Sequence, residues 1–443
     1  MRFCPKKRRM PTAKRRFNPL KEQVFESDFG AEYVKATLDC GLEIYVMEKP
    51  GYNSSYAIFG TKYGSVDMNF AGKDGKRVNI PAGTAHFLEH KLFESEDGDA
   101  FSKYAKTGAS ANAFTSFDRT CYLFSCGDRF YENFDILLDF VQSPYFTSET
   151  VNKEQGIIGQ EIRMYDDSPS WRVLFNMLEN MYFESPVKTD IAGTVESIAQ
   201  IDAGVLYKCY ETFYNPSNMF ICVCGNVDAA RVIETVKKSI RSVISNPVVR
   251  FESAEPEKVK SHFTEQKLAV LVPMFCLGFK QNDGELYKNL KERVCMSLLL
   301  ETAAGECSPL YARLTREGLI GDGFATEHFV GRGYSAVIFE GESEFPEKVR
   351  DEILLEFENI RENGIDKRLF SAAKHSLYGD AIRRLNSVES VCMQFTECAI
   401  SGFELFDEIK VLKAVTSDDI YRRLDVFTRS NAVLSVVKPQ EEQ

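Results

Sequence analysis

Apolar residues recur along this chain with two periods, and the order in which those periods alternate occurs twice. Short runs rich in Val, Ile, Tyr and Phe predict strands at residues 42–46, at 57–63 and from 109 to 125, the last folding back at Asp118, Arg119 and Thr120. Helical spacing marks residues 86–93, residues 131–141 and the segment that holds Glu154 and Glu161. A second series then begins. It predicts a strand at 269–275, a helix at 286–302, strands between 323 and 340, and helices from Pro346 onward. In this register residues 349–355 match 133–138, and the helix after Phe370 matches the one holding Glu154 and Glu161. Residues 246–264, polar and broken by Pro247 and Pro256, read as a linker between halves at 17–245 and 265–443. Strands and helices are segregated in each half, which predicts an α+β class with a mostly antiparallel sheet rather than a doubly wound one.

One of the helical segments carries chemistry. His86-Phe-Leu-Glu-His90 holds two of only five histidines in 443 residues. On a helix of 3.6 residues per turn, positions i and i+4 lie nearly above one another, so both imidazoles can reach one zinc ion. Glu89 falls on the flank of that face, where it can accept a proton from the attacking water rather than bind the metal. His-x-x-Glu-His is the inverzincin signature, the reverse of His-Glu-x-x-His. Pro81, Gly83 and Thr84 form a plausible helix start, and Phe87, Leu88, Leu92 and Phe93 offer apolar packing. Two histidines do not close a zinc site. Glu154 and Glu161 lie seven apart, two turns of a second helix, and a carboxylate from that face would complete a His2Glu set with one position open. A solvated helix face has the same i, i+7 pattern, so spacing alone leaves that reading open.

These residues resemble the insulinase/pitrilysin-type zinc peptidases, a family that includes the mitochondrial processing peptidases. The match extends to Phe93, to Asn112-Ala113-Phe114-Thr115, and to Trp171 ten residues after Glu161. Residues 159–171 and 213–219 look like the bacterial branch termed YmfH-like. The resemblance is specific over residues 30–235 and looser beyond. It implies that His86, His90 and Glu161 bind one zinc per chain, that Glu89 is the general base, and that Glu154 is a supporting carboxylate. It further implies that Phe93, Asn112, Ala113, Phe114 and Trp171 line a substrate cleft, and that two homologous domains face each other as a clamshell. The edge of the strand holding Asn112 would bind an extended peptide through main-chain hydrogen bonds. A core strand would account equally well for Phe114 and Phe117.

The chain departs from the family in its second half. Active members carry an arginine and, a few residues later, a tyrosine that contact the substrate. Aligned on residues 314–321, those positions hold Thr315 and Gly321, with Arg313 and Arg316 out of register. The second half also lacks a His-x-x-Glu-His in residues 294–300. The expectation is therefore a zinc endopeptidase for peptides or unfolded short proteins that works with a second family subunit as a heterodimer, a homodimer being the other arrangement. The alternative is a catalytically weak or inactive peptide-binding subunit.

Composition adds limits. The twelve cysteines show no regular framework and suit free thiols in a reducing cytoplasm. No stretch approaches the ~20 apolar residues of a membrane span. Residues 1–16 hold eight basic residues and no acid, so with a net charge of −11 for the chain the remainder carries −19. That acidic body argues against nucleic acid as the main partner. The basic arm lacks the apolar core of a secretory signal. It fits a flexible tail, a nucleic-acid or anionic-surface contact, an organelle presequence or an upstream start before Met10, and Pro5 and Pro11 favour the tail by breaking any long helix.

Overall fold

The computed structural model describes residues 19–96, 98–241, 247–281 and 283–440. The basic arm at 1–16 and the first residue of the expected linker, Asn246, lie outside them. Two sheets organise the chain. The first has seven strands in the order Pro19–Glu26, Glu32–Leu38, Glu43–Glu48, Met219–Gly225, Ser55–Thr61, Thr120–Cys126 and Ser110–Thr115. The second has five, in the order Phe263–Leu268, Ala432–Pro439, Met274–Gln281, Tyr334–Glu342 and Ala325–Gly331.

The duplication is visible in the pairing. In the first sheet Glu43–Glu48 runs parallel to Met219–Gly225, and every other neighbour is antiparallel. The second sheet repeats this, with Phe263–Leu268 parallel to Ala432–Pro439 and the rest antiparallel. Five strands of each sheet thus share one order, and the first sheet adds a hairpin at one edge.

Both faces of each sheet are covered, which explains why Ser55–Thr61 and Met219–Gly225 are buried at every position. Side chains alternate along a strand, so each face belongs to a different core. Ile44, Val46, Ala57, Phe59, Ile221 and Val223 pack with helices of the first half. Tyr45, Met47, Tyr56, Ile58, Phe220 and Cys222 pack instead with apolar residues of the second half. The cover on that side is the helix Val388–Ser401. In return, the helix Pro169–Met181 lies on the second sheet, where Val173, Met177, Leu178 and Met181 meet Cys276, Ile338, Val433 and Val437. At Gly278 a Cβ would come within 2.5 Å of the Met177 sulfur, so a larger residue there would have to displace the ends of the Met177 and Met181 side chains. Each half therefore lends one helix to the other.

The expected strand at 269–275 is not formed. Residues 269–273 are the connection between Phe263–Leu268 and Met274–Gln281, and Leu271 is 96% exposed. The reason is that Phe263–Leu268 is an edge strand of alternating exposed and half-buried residues, which an apolar run does not mark, whereas Pro273 limits any strand through the apolar stretch. The equivalent of Ser55–Thr61 is accordingly Met274–Gln281. The helix expected at 286–302 is a single 3-10 turn at Leu286–Lys288 followed by Leu290–Ala304, whose first turn is capped by the Asn289 side chain. Residues 247–262, between the sheets, are irregular but tied down. The Glu255 carboxylate accepts hydrogen bonds from the backbone N–H groups of Phe183, Glu184 and Ser185 and from the buried Lys280 ammonium.

Candidate metal centre

The motif lies on the helix Thr84–Leu92. Gly83 precedes it at φ 85°, a left-handed conformation that suits glycine, and a Cβ there would meet the Ala192 carbonyl oxygen at 2.3 Å. The helix is almost wholly buried, so His86 and Glu89 are each only 8% exposed. Against it packs the helix Ser148–Asp166, which begins at a Thr147–Thr150 capping box. Its buried residues Val151, Glu154, Ile158 and Ile162 recur at helical spacing, which turns Glu154 inward and leaves Glu161 half-buried beside it.

The two helices bring His86, His90 and Glu161 together, with one ligand atom from each within 4.8 Å of the others. His86 Nε2 is 3.6 Å from Glu161 Oε1, and His90 Nε2 is 3.5 Å from Glu161 Oε2. Tetrahedral zinc with bonds of 2.0 to 2.1 Å would separate its ligand atoms by about 3.3 to 3.4 Å, so the donors stand close to what the ion requires. His90 Nδ1 lies 3.1 Å from Glu154 Oε1. An ionised carboxylate only accepts, so Nδ1 carries a proton toward Glu154 and Nε2 is the nitrogen turned to Glu161. This is the carboxylate–histidine arrangement that orients a metal ligand.

The electrostatics agree. Burial, and then the neighbouring His90, push the His86 imidazole down to about 4, which keeps its lone pair free at neutral pH. Burial works to lower His90 too, but the Glu154 hydrogen bond and the charges of Glu89, Glu161 and Glu154 raise it overall. Burial opposes ionisation of Glu154, yet its bond to His90 and the charges of His90 and Lys91 hold it below the usual range. Glu89 is pushed up by burial, against the opposing hydrogen bond from Thr115. Three carboxylates around two imidazoles, two of them buried, call for a cation, and the donor set fits zinc.

Two contributors, Tyr165 and Lys91, were not singled out from the sequence, and Thr115 was named only with the cleft strand, not as a partner of Glu89. Thr115 donates a 2.7 Å hydrogen bond to Glu89 Oε2. Tyr165 donates one of 2.7 Å to Glu161 Oε1, and its i+4 position relative to Glu161 was the available signal. Lys91 is fully buried and pairs with Glu94, with Glu154 Oε2 4.0 Å away. Nothing in a lone lysine on an apolar helix marks it as buried.

The expected cleft residues divide. Ser110–Thr115 is an edge strand that contacts the motif helix; Thr115, and by alternation Ala113, lie on the face turned to that helix, while Asn112 and Phe114 lie on the opposite face. Asn112 is exposed and its side-chain oxygen accepts from the Ala113 N–H at 2.9 Å. Phe114 is partly buried against second-half residues. Phe93 packs in the core of the first half. It is 7% exposed, stacked on Phe101 and Phe140, because its position just after the helix directs it into the core. Trp171 is half-buried, stacked on Tyr165 at 4.7 Å, with its indole N–H donated to Asp190. In the second half, Arg313 is engaged by Glu352 and Glu356 at 2.9 and 3.0 Å.

Comparison with known proteins is consistent over most of the chain. The family model for insulinase (peptidase family M16) matches residues 76–195, and that for the peptidase M16 inactive domain matches residues 200–377. The uncharacterized zinc protease YmfH of Bacillus subtilis is 43% identical over 387 residues, 86% of this chain and 90% of that protein. The crystal structure of a putative M16-like peptidase from Alicyclobacillus acidocaldarius superposes with a TM-score of 0.86 at 32% identity, covering 98% of this chain and 99% of that one. A protease from Helicobacter pylori shares the fold at a TM-score of 0.81 and 19% identity, over 92% of this chain and 100% of that one.

Proposed function

Because this chain belongs to the insulinase family of peptidases, M16, we propose that it is a zinc-dependent endopeptidase acting on peptides or unfolded short proteins. The observation that carries the reading is the meeting of His86 Nε2, His90 Nε2 and the Glu161 carboxylate beside the buried Glu89. His86, His90 and Glu161 would hold one zinc, and Glu154 would fix the His90 tautomer. Zinc, when bound, supplies a Lewis acid that polarises the scissile carbonyl and makes water more acidic.

Glu89 moves the protons. Thr115 occupies its Oε2, so Oε1 is the atom left to accept a proton as the water oxygen bonds to the carbonyl carbon. Glu89 then delivers that proton to the departing amine nitrogen as the carbon–nitrogen bond breaks. Its burial suits the task by raising the carboxyl toward the range where it both takes and gives a proton. The free edge of Ser110–Thr115 would hold an extended substrate by main-chain pairing, with Asn112 next to the reacting carbonyl and Ala113 leaving room for it. In this reading residues 17–245 form the metal-binding half, 246–264 a linker and 265–443 a degenerate repeat.

A specific observation favours dependence on a second subunit. In the alignment that the resemblance implies, Thr315 and Gly321 fall where the family has its arginine and tyrosine, residues 312–333 hold no tyrosine, and the nearby Arg313 is committed to Glu352 and Glu356. A partner of the same family would supply that pair in a heterodimer. Without it, the chain would act as a weak or inactive peptide-binding subunit. The proposed compartment is the cytoplasm, supported by eleven described cysteines that are all free. Among the described residues no helix is long and apolar enough to cross a membrane.

The test is metal content by plasma mass spectrometry for wild type and Glu161→Ala, alongside cleavage of quenched-fluorescent peptides. Zinc near one per chain, lost with Glu161, supports the site. A folded wild type that holds no zinc would overturn it.

A further inference from the structure

Tyr165 and Trp171 form a chain of contacts that leads from the metal site to the second sheet. The Tyr165 hydroxyl donates to Glu161 Oε1, the oxygen on the His86 side, while Oε2 stands 3.5 Å from His90 Nε2. A glutamate on a half-exposed helix face has three rotatable bonds and several rotamers open to it. The hydroxyl bond restricts that freedom, because it fixes one carboxylate oxygen and with it the plane of the group. Tyr165 in turn stacks on Trp171 with ring centroids 4.7 Å apart and planes 18° from parallel. Trp171 is held by its N–H bond to Asp190 and by contact with Phe175 at 5.1 Å. Both Trp171 and Phe175 lie on Pro169–Met181, the helix that the first half lends to the second sheet.

We propose that Tyr165 is a positioning residue for the carboxylate ligand, and that its stack on Trp171 couples metal binding to the helix that joins the two halves. The proposal rests on the zinc reading above, and it assigns Trp171 to supporting the site rather than contacting substrate. Pre-setting a ligand's orientation typically accounts for 10- to 100-fold in metal affinity, and loss of a single hydroxyl belongs at about the lower end.

Trp171 is the sole tryptophan of the chain, so its emission reads this contact directly. The experiment titrates zinc into the metal-free full chain, wild type and Tyr165→Phe, with affinity measured against a chromophoric chelator and Trp171 fluorescence recorded in parallel. Phenylalanine keeps the ring for stacking and removes only the hydroxyl. Expected are a dissociation constant about tenfold weaker in the variant, an unchanged melting temperature of the metal-free variant, and a Trp171 emission change that saturates with zinc in wild type. Trp171→Phe, which keeps a ring at the same place, should also weaken zinc, by less than Tyr165→Phe. An affinity unchanged in both variants, beside a wild type that binds zinc stoichiometrically, would overturn this inference alone. A flat Trp171 signal through a stoichiometric titration would overturn the coupling. A wild type that binds no zinc would overturn the proposed function with it.

Discussion

Replacing Glu154 by Gln separates the orientation of His90 from the ligand set itself. Glu154 is 6% exposed and offers Oε1 to His90 Nδ1 at 3.1 Å. The amide of Gln can still accept that hydrogen bond, so the ring keeps its place while the negative charge is lost. A hydrogen bond to a charged partner contributes about 1.5 to 3 kcal/mol and a neutral one about 0.5 to 1.5, a difference of roughly 1 to 1.5 kcal/mol. At about 1.4 kcal/mol per decade, zinc should bind about tenfold more weakly. Glu154→Ala removes the acceptor altogether and leaves the Nδ1–H of a largely buried ring unpaired, which extends the loss toward about 100-fold. The assay is competition with a chromophoric chelator at neutral pH, with Glu161→Ala as the variant that loses a ligand outright. Affinities within twofold of wild type for both Glu154 variants would refute the claim that this carboxylate orients His90.

Thr115→Val should lower kcat about tenfold with KM and zinc content unchanged, because it frees Glu89 Oε2. Thr115→Ser should restore the rate, and equal rates in all three forms would contradict the role. Asp67 is 3% exposed and pairs with Arg250 at 2.6 Å and Arg332 at 2.8 Å, which tie the region between the sheets to the second half. Asp67→Asn leaves two guanidinium groups underpaired and should cost about 3 to 5 kcal/mol in urea denaturation, whereas a loss under about 1 kcal/mol would refute the clamp. Burial, and then the charge of Arg293, lower His328 to about 3, so it is neutral in the folded chain. The unfolded chain binds the extra proton below about pH 6.5, so stability should fall as pH drops from there toward 3, and His328→Gln should reduce that slope. Identical slopes in the two proteins would dismiss the histidine as the cause.

The candidate site residues were legible because they are local. His86, Glu89, His90, Glu154 and Glu161 all fall within two helical segments whose periods place them on shared faces, and helix geometry does the rest. What the sequence withheld depends on partners far along the chain. The two faces of Ser55–Thr61 are both apolar, and nothing in that run tells that one meets helices of its own half and the other Val388–Ser401. Phe263–Leu268 was missed because an edge strand parallel to Ala432–Pro439 needs no apolar run. Phe93 and Lys91 show the same limit for side chains. One is a core ring and the other a buried cation, and their surroundings come from segments that only the tertiary fold brings near. Thr115 reaches Glu89 across 26 residues, a contact that strand–helix packing creates.

The central claim is that Glu89 performs proton transfer at a zinc site it does not itself form. Zinc content and peptide cleavage, measured on the same preparations of wild type and Glu89→Gln, test it most directly. The account predicts about one zinc per chain in both proteins and cleavage in wild type only. Undiminished cleavage by Glu89→Gln, or a folded wild type devoid of zinc, would contradict it.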